Sequence, residues 1–142
     1  TIQAQILELM KDLQDELDMS ILFITHDLGV VAEICDRVIV MYAGQVVEEA
    51  DVTTLFDHPK HPYTVGLMKS TPKLGEHSEQ LYSIEGTVPQ VDQMPIGCRF
   101  ADRCPKAFNK CFTDEPIEFQ TEDHSRVRCW LYNEKREEVT QV

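Results

Sequence analysis

Four cysteines in the last third of the 142-residue chain, Cys98, Cys104, Cys111 and Cys129, carry its clearest chemistry. Five and six residues separate the first three, and seventeen lie between the third and the fourth. Four thiolates suit tetrahedral zinc or a cubane [4Fe–4S] cluster. These intervals exceed the roughly two to four residues usual within a zinc pair, which argues mildly against a zinc ribbon. Wider loops can wrap a cluster, and Pro105 stiffens the turn after Cys104. Arg99, Arg103, Lys106 and Arg128 stand beside the thiolates and could offset a cluster's negative charge. The plainer alternatives are zinc, free thiols, or disulfides formed during aerobic purification. No basic-then-apolar leader opens the chain, and in a reducing compartment such a group binds metal more readily than it forms disulfides. His124 is a substitute ligand in principle but reads more simply as a surface histidine. Cys35 stands apart and reads as a small core residue.

The second candidate is His26. An apolar run at residues 21–24 stops at Thr25, His26 and Asp27, and a helical pattern starts at once. Open α/β sheets place ligands where strands feed helices, and free N–H groups at a helix start favour anions. Taken alone, a histidine at a strand end is more often a local hydrogen-bonding residue than a catalyst.

The elements that must position these residues are partly legible. Ile2, Ile6, Leu9, Leu13 and Leu17 recur at helical spacing and predict a first helix with one apolar stripe. Residues 21–24 predict a short strand covered on both faces, as in a parallel sheet. Asp27 predicts a cap for the helix that follows. Residues 37–42 and 45–50 predict a hairpin around Ala43-Gly44. Asp51 is a second predicted cap, and Pro62 opens a helix that stops at Thr71-Pro72. Residues 73–80 read as a linker, 81–89 as a strand, and the charged tail from Asn133 as frayed. Between them lies an irregular, Cys-rich segment with so small a core that it needs staples. The Glu48-Glu49 pair reads as ordinary solvated charge.

Composition narrows the function. An apolar fraction of 42% supports a core and argues against wholesale disorder. A net charge of −12 makes nucleic acid a poor partner. No apolar run approaches the roughly 18 residues of a spanning helix. The chain starts at Thr1, which fits either methionine removal or a piece of a longer protein.

The stretch "ILFITHDLGVVAEICDRVIVMYAGQVVEEA" (21–50) resembles the C-terminal part of ATP-binding-cassette ATPases, the motors of ABC transporters. The stretch "TIQAQILELMKDLQDEL" (1–17) looks like the helix after that family's D-loop. Two further stretches, "HPKHPYTVGLMKSTP" (58–72) and "GCRFADRCPKAFNKC" (97–111), resemble the extension found in importers of oligopeptides, dipeptides and nickel. The resemblance implies an α/β fold. Residues 1–72 would be the C-terminal part of a P-loop nucleotide-binding domain, and residues 73–142 a small Cys-rich extension. It implies that His26 contacts the γ-phosphate and attacking water, with ATP and Mg²⁺ bound in the intact parent. It implies a [4Fe–4S] cluster on Cys98, Cys104, Cys111 and Cys129; a structural rather than a redox role is expected, because nothing in the sequence suggests an electron partner. The implied partners are a second ATPase subunit and membrane permeases, at the cytoplasmic face of the membrane. His-Pro-Tyr at 61–63 is expected to be an anchor, not a reacting group.

The 142 residues contain no Gly-rich phosphate loop with its Lys, no Leu-Ser-Gly-Gly signature and no Asp-Glu pair for Mg²⁺ and water. Alone, the chain is expected not to hydrolyse ATP. The competing reading is a stand-alone, non-enzymatic metal-binding or interaction module. Self-association is expected, to cover residues 21–24 and the first helix.

Overall fold

The apolar spacing at the start of the chain does give a helix, α1 (Ile2–Leu17). The computed structural model describes residues 2–71 and 82–133, which form two units, residues 2–36 and residues 37–133. In the first unit, the stripe that marks α1 as amphipathic is on the surface. Ile2, Ile6, Leu9, Leu13 and Leu17 are all exposed, and Leu7 is the buried residue of the helix. The predicted strand at 21–24 does not form. A strand exists through hydrogen bonds to a neighbour, and among the described residues nothing pairs with it. Leu22 and Ile24 are 84% and 91% exposed. Asp27 caps α2 (Leu28–Ile34) as predicted: its Oδ1 accepts the N–H of Gly29 at 2.9 Å and of Val30 at 3.2 Å. Cys35 ends α2 half-buried.

The second unit is built on the predicted hairpin, β1 (Arg37–Tyr42) and β2 (Gln45–Asp51). Ala43 and Gly44 turn the chain with φ of 47° and 77°, the positive pair that a two-residue hairpin turn demands. The register slips after Val40, so that Val40 faces Glu48 while Met41 faces Val46. That bulge leaves Val47 as the extra residue and turns Val47 and Glu48 both inward. Asp51 caps α3 (Val52–Asp57), accepting from Thr54 N–H at 2.9 Å. Then α4 (Pro62–Ser70) begins on its proline.

The Cys-bearing segment adds α5 (Asn109–Thr113), β3 (Phe119–Gln120) and β4 (Arg126–Val127). The sheet is four-stranded and wholly antiparallel, in the order β1-β2-β4-β3. Mixed helix and sheet is therefore observed, but not the parallel sheet expected from residues 21–24. Phe100 lies in the core with Val40, Tyr42, Val47, Ala50 and Leu55. Its ring centroid is 5.1 Å from that of Tyr42 and 5.5 Å from that of Tyr63. Sequence puts a boundary after residue 72, in a stretch outside the described residues. Packing unites what flanks it: residues 82–133 share a sheet and a core with residues 37–71.

The strand predicted at 81–89 is absent from its described part, 82–89. Arg103 holds that part instead, donating to Ile84 O at 3.0 Å and Glu85 O at 2.8 Å. The expected linker at 73–80 and the tail beyond Asn133 lie outside the described residues. No helix among the described residues is long and apolar enough to cross a membrane.

Candidate metal centre

The His-Pro-Tyr turn and the Cys-rich loops meet at one small cavity. It is lined by Cys98, Cys104, Cys111 and Cys129, with His61 and Trp130 among the other walls. It leaves about 10 Å³ for the centres of water-sized spheres, the room of a single water. The structure thus brings together all four cysteines that sequence singled out. Among the described residues, no three His, Cys, Asp or Glu side chains converge closely enough to hold a single metal ion. His26 lies in the other unit, exposed in the turn before Asp27. His124 is exposed in the β3–β4 turn, with φ 62°.

Local backbone geometry sets the sulfurs in place. Cys98 N–H donates to Cys111 O at 2.8 Å, which ties two of the loops together. Gly97 permits that crossing: a Cβ there would press on Cys111 O and lie 2.8 Å from Phe112 C. The Cys98 sulfur receives the N–H groups of Phe100 and Ala101, the Cys104 sulfur that of Lys106, and the Cys129 sulfur that of Leu131. Burial raises the thiols of Cys98 and Cys104. It pushes Cys129 up to about 12, with Cys98, Cys104 and Cys111 adding repulsion. Burial thus keeps Cys98, Cys104 and Cys129 protonated until something positive shares the cavity. Trp130 is the chain's one tryptophan. Its Nε1 donates to Asp114 O at 2.9 Å, and Lys110 Nζ sits 4.1 Å from its ring centroid.

The basic residues beside the cysteines act differently from the expectation. Arg99 donates to Ala43 O at 2.6 Å, in the hairpin turn. Arg103 serves Ile84, Glu85 and the Tyr42 hydroxyl, and Arg128 donates to Val46 O and Pro116 O. These guanidiniums clamp backbone carbonyls; only Lys106 of the four lines the cavity.

Glu48 is the functional residue that sequence reading missed. It is 1% exposed, not solvated. Its Oε1 accepts from Lys60 N–H and its Oε2 from His61 N–H, each at 2.8 Å. The Tyr132 hydroxyl donates to Lys60 O at 3.1 Å, and Lys60 Nζ pairs with Asp123 at 2.5 Å. That ammonium, helped by Thr121 and Ser125, holds the Asp123 carboxyl far below the usual range. Glu49 also has partners: Arg126 and Arg37 bridge it and keep its carboxyl low against the effect of burial. The His-Pro-Tyr turn is therefore an anchor, as expected, and Glu48 is what it is anchored to. His61 caps α4, its Nδ1 accepting from Tyr63 N–H at 3.1 Å, and burial lowers its pKa to about 4.

Residues 47–111, from the bulge to the third cysteine, match the family described as the oligopeptide/dipeptide transporter, C-terminal region. The chain is 56% identical over 135 residues to the oligopeptide transport ATP-binding protein AppD of Bacillus subtilis, covering 95% of this chain and 41% of that protein. It is 53% identical over 132 residues to OppD of the same organism, covering 92% and 37%. A probable peptide ABC transporter ATP-binding protein of Sinorhizobium fredii is 50% identical over 136 residues, covering 94% and 40%. The chain is similar to the C-terminal part of peptide ABC transporter ATP-binding proteins. It spans about two fifths of the length of these relatives.

Proposed function

We propose that this chain is the C-terminal part of an ATPase subunit that powers peptide import, and that its four cysteines hold a structural [4Fe–4S] cluster. The observation that carries the cluster reading is the shared cavity: four soft donors face one space, with backbone N–H groups directed at three of the sulfurs. That donor set suits an iron–sulfur centre or zinc. When bound, the cluster supplies cross-links between four points of the chain. The residues around it bury it, tie Cys98 to Cys111, and direct N–H groups at the sulfurs.

The names of the relatives support the transport reading. In the whole protein, ATP and Mg²⁺ are bound, His26 contacts the γ-phosphate, and the subunit works with a second ATPase and membrane permeases at the cytoplasmic face. The 142-residue chain alone releases no phosphate from ATP. The exposed stripe of α1 makes the isolated chain self-associate; a monomeric mass by light scattering at micromolar concentration counts against this.

The deciding experiment is metal and acid-labile sulfide analysis on anaerobically purified chain, with a visible spectrum. Iron and sulfide at about four each per chain, with broad absorption near ~400 nm, are expected. Zinc at about one per chain, or neither metal, overturns the cluster reading.

A further inference from the structure

Two of the four cysteines are tied together more closely than a shared cavity requires. Cys98 N–H donates to Cys111 O at 2.8 Å, and among the described residues no other backbone hydrogen bond links two cysteines. The two backbones cross so tightly that a Cβ on Gly97 would meet Cys111 O. Both cysteine side chains line the same cavity, which has room for about one water. Residues tied by such a backbone bond have Cα atoms roughly 5.5 Å apart, inside the range that a disulfide spans. An S–S bond needs no guest, so a cavity of this size suits it. Among the described residues no three ligands converge on a metal ion, whereas a disulfide asks for only two sulfurs.

We infer that Cys98 and Cys111 form a reversible disulfide pair, a thiol switch closed by a small-molecule disulfide such as oxidised glutathione. Closure uses two sulfurs of the metal-free chain and is independent of the cluster reading. Cys98 is half-buried and Cys111 buried, so the oxidant meets Cys98 first. Cys98 gives up its proton, its sulfur attacks one sulfur of the oxidant, and a thiolate leaves. Cys111 then loses its proton and displaces the second thiolate from the Cys98 sulfur. In sum one S–S bond breaks and one forms. Two electrons pass from the cysteines to the oxidant, which departs as two thiols with the two protons. In a reducing compartment the pair stays open, and it closes as the oxidant accumulates. Closure encloses residues 99–110, the stretch that carries Phe100 into the core, and supplies a staple that so irregular a segment needs.

The full chain is first reduced and freed of metal by a chelator. It is then incubated anaerobically with oxidised glutathione at mildly alkaline pH, because burial raises the Cys98 thiol and slows its attack. Remaining thiols are trapped by alkylation, and the bond is mapped by proteolysis and mass spectrometry. Arg103 and Lys106 let trypsin cut between the two cysteines. Thermal unfolding is followed before and after closure. Cys98→Ser, Cys111→Ser and Cys104→Ser are treated alongside.

Wild type is expected to lose two of its five thiols to one internal bond, Cys98 to Cys111, with no glutathione retained there. Its unfolding midpoint rises by about 10 °C and returns to the starting value with reductant. Cys104→Ser closes as wild type does. Cys111→Ser stops with glutathione bound to Cys98, and Cys98→Ser forms no internal bond. A bond mapped to another pair, an unchanged or lower midpoint, or all five thiols still free in wild type overturns the inference. The wild-type mapping needs no variant, so a substitution that fails to fold leaves the test intact.

Discussion

Residues 2–36 and 37–133 carry equally clear apolar patterns, but only the second region completes them. In the first, α1 forms with its stripe exposed and residues 21–24 find no ladder partner. Its buried residues are few: Leu7, Val30 and Val31. In the second, β2 gains β1 on one side and β4 on the other, and Phe100 from the Cys-rich segment fills the hairpin core. Local pattern is enough for a helix, whose hydrogen bonds lie within its own segment. A strand is a pairwise object, and its sequence is only half of the statement.

The contrast can be broken most sharply at Glu48. Glu48→Ala leaves two amides, those of Lys60 and His61, buried without an acceptor. A loss of about 4 kcal/mol is expected, at roughly 2 per orphaned group, read from the denaturant midpoint. A loss under about 1 kcal/mol would mean that water replaces the carboxylate. Gly97→Ala is expected to lose about 3 kcal/mol by forcing apart the crossing at Cys111. Unchanged stability would show that the α5 loop gives way freely.

Acid should separate the regions next. His61 is held neutral by burial, with its pKa lowered to about 4, so the unfolded chain binds the extra proton. Its contribution to stability is complete above the ordinary histidine value of about 6.5 and is lost as pH falls towards 4. In metal-free chain that is up to about 3 kcal/mol. His61→Asn should flatten the loss between those pH values. Glu49 follows at lower pH: its depressed carboxyl stabilises the fold above the ordinary carboxylate range, and this is lost as it protonates. The smallest effect belongs to the first region. Leu9→Ala, on the exposed stripe, should shift unfolding by no more than about 0.5 kcal/mol in dilute chain. A shift of about 2 kcal/mol or more would mean that the stripe is covered in solution.

What was legible follows the same line. The caps at Asp27 and Asp51, the turn at Ala43-Gly44 and the start at Pro62 are properties of a few adjacent residues, and each stands where it was expected. The four cysteines were legible as a set because thiols in number are rarely incidental. Glu48 was not, because strand alternation puts it outside. The bulge after Val40 reverses that, and a bulge depends on the partner strand rather than on the residue. The roles of Arg99, Arg103 and Arg128 were hidden for a similar reason. Charge suggests a counter-ion, whereas the carbonyls they clamp belong to distant stretches of chain.

The position of Trp130 makes the site self-reporting. The chain's one indole forms part of the cavity wall, one residue from Cys129 and fixed by Asp114. Its ultraviolet emission therefore originates at the cysteines and nowhere else in the chain. A light-absorbing centre assembled there would drain that emission by energy transfer, whereas zinc, which absorbs no visible light, would leave it bright. Filling and emptying of the cavity can then be followed in real time, in unlabelled protein, by the light it gives off.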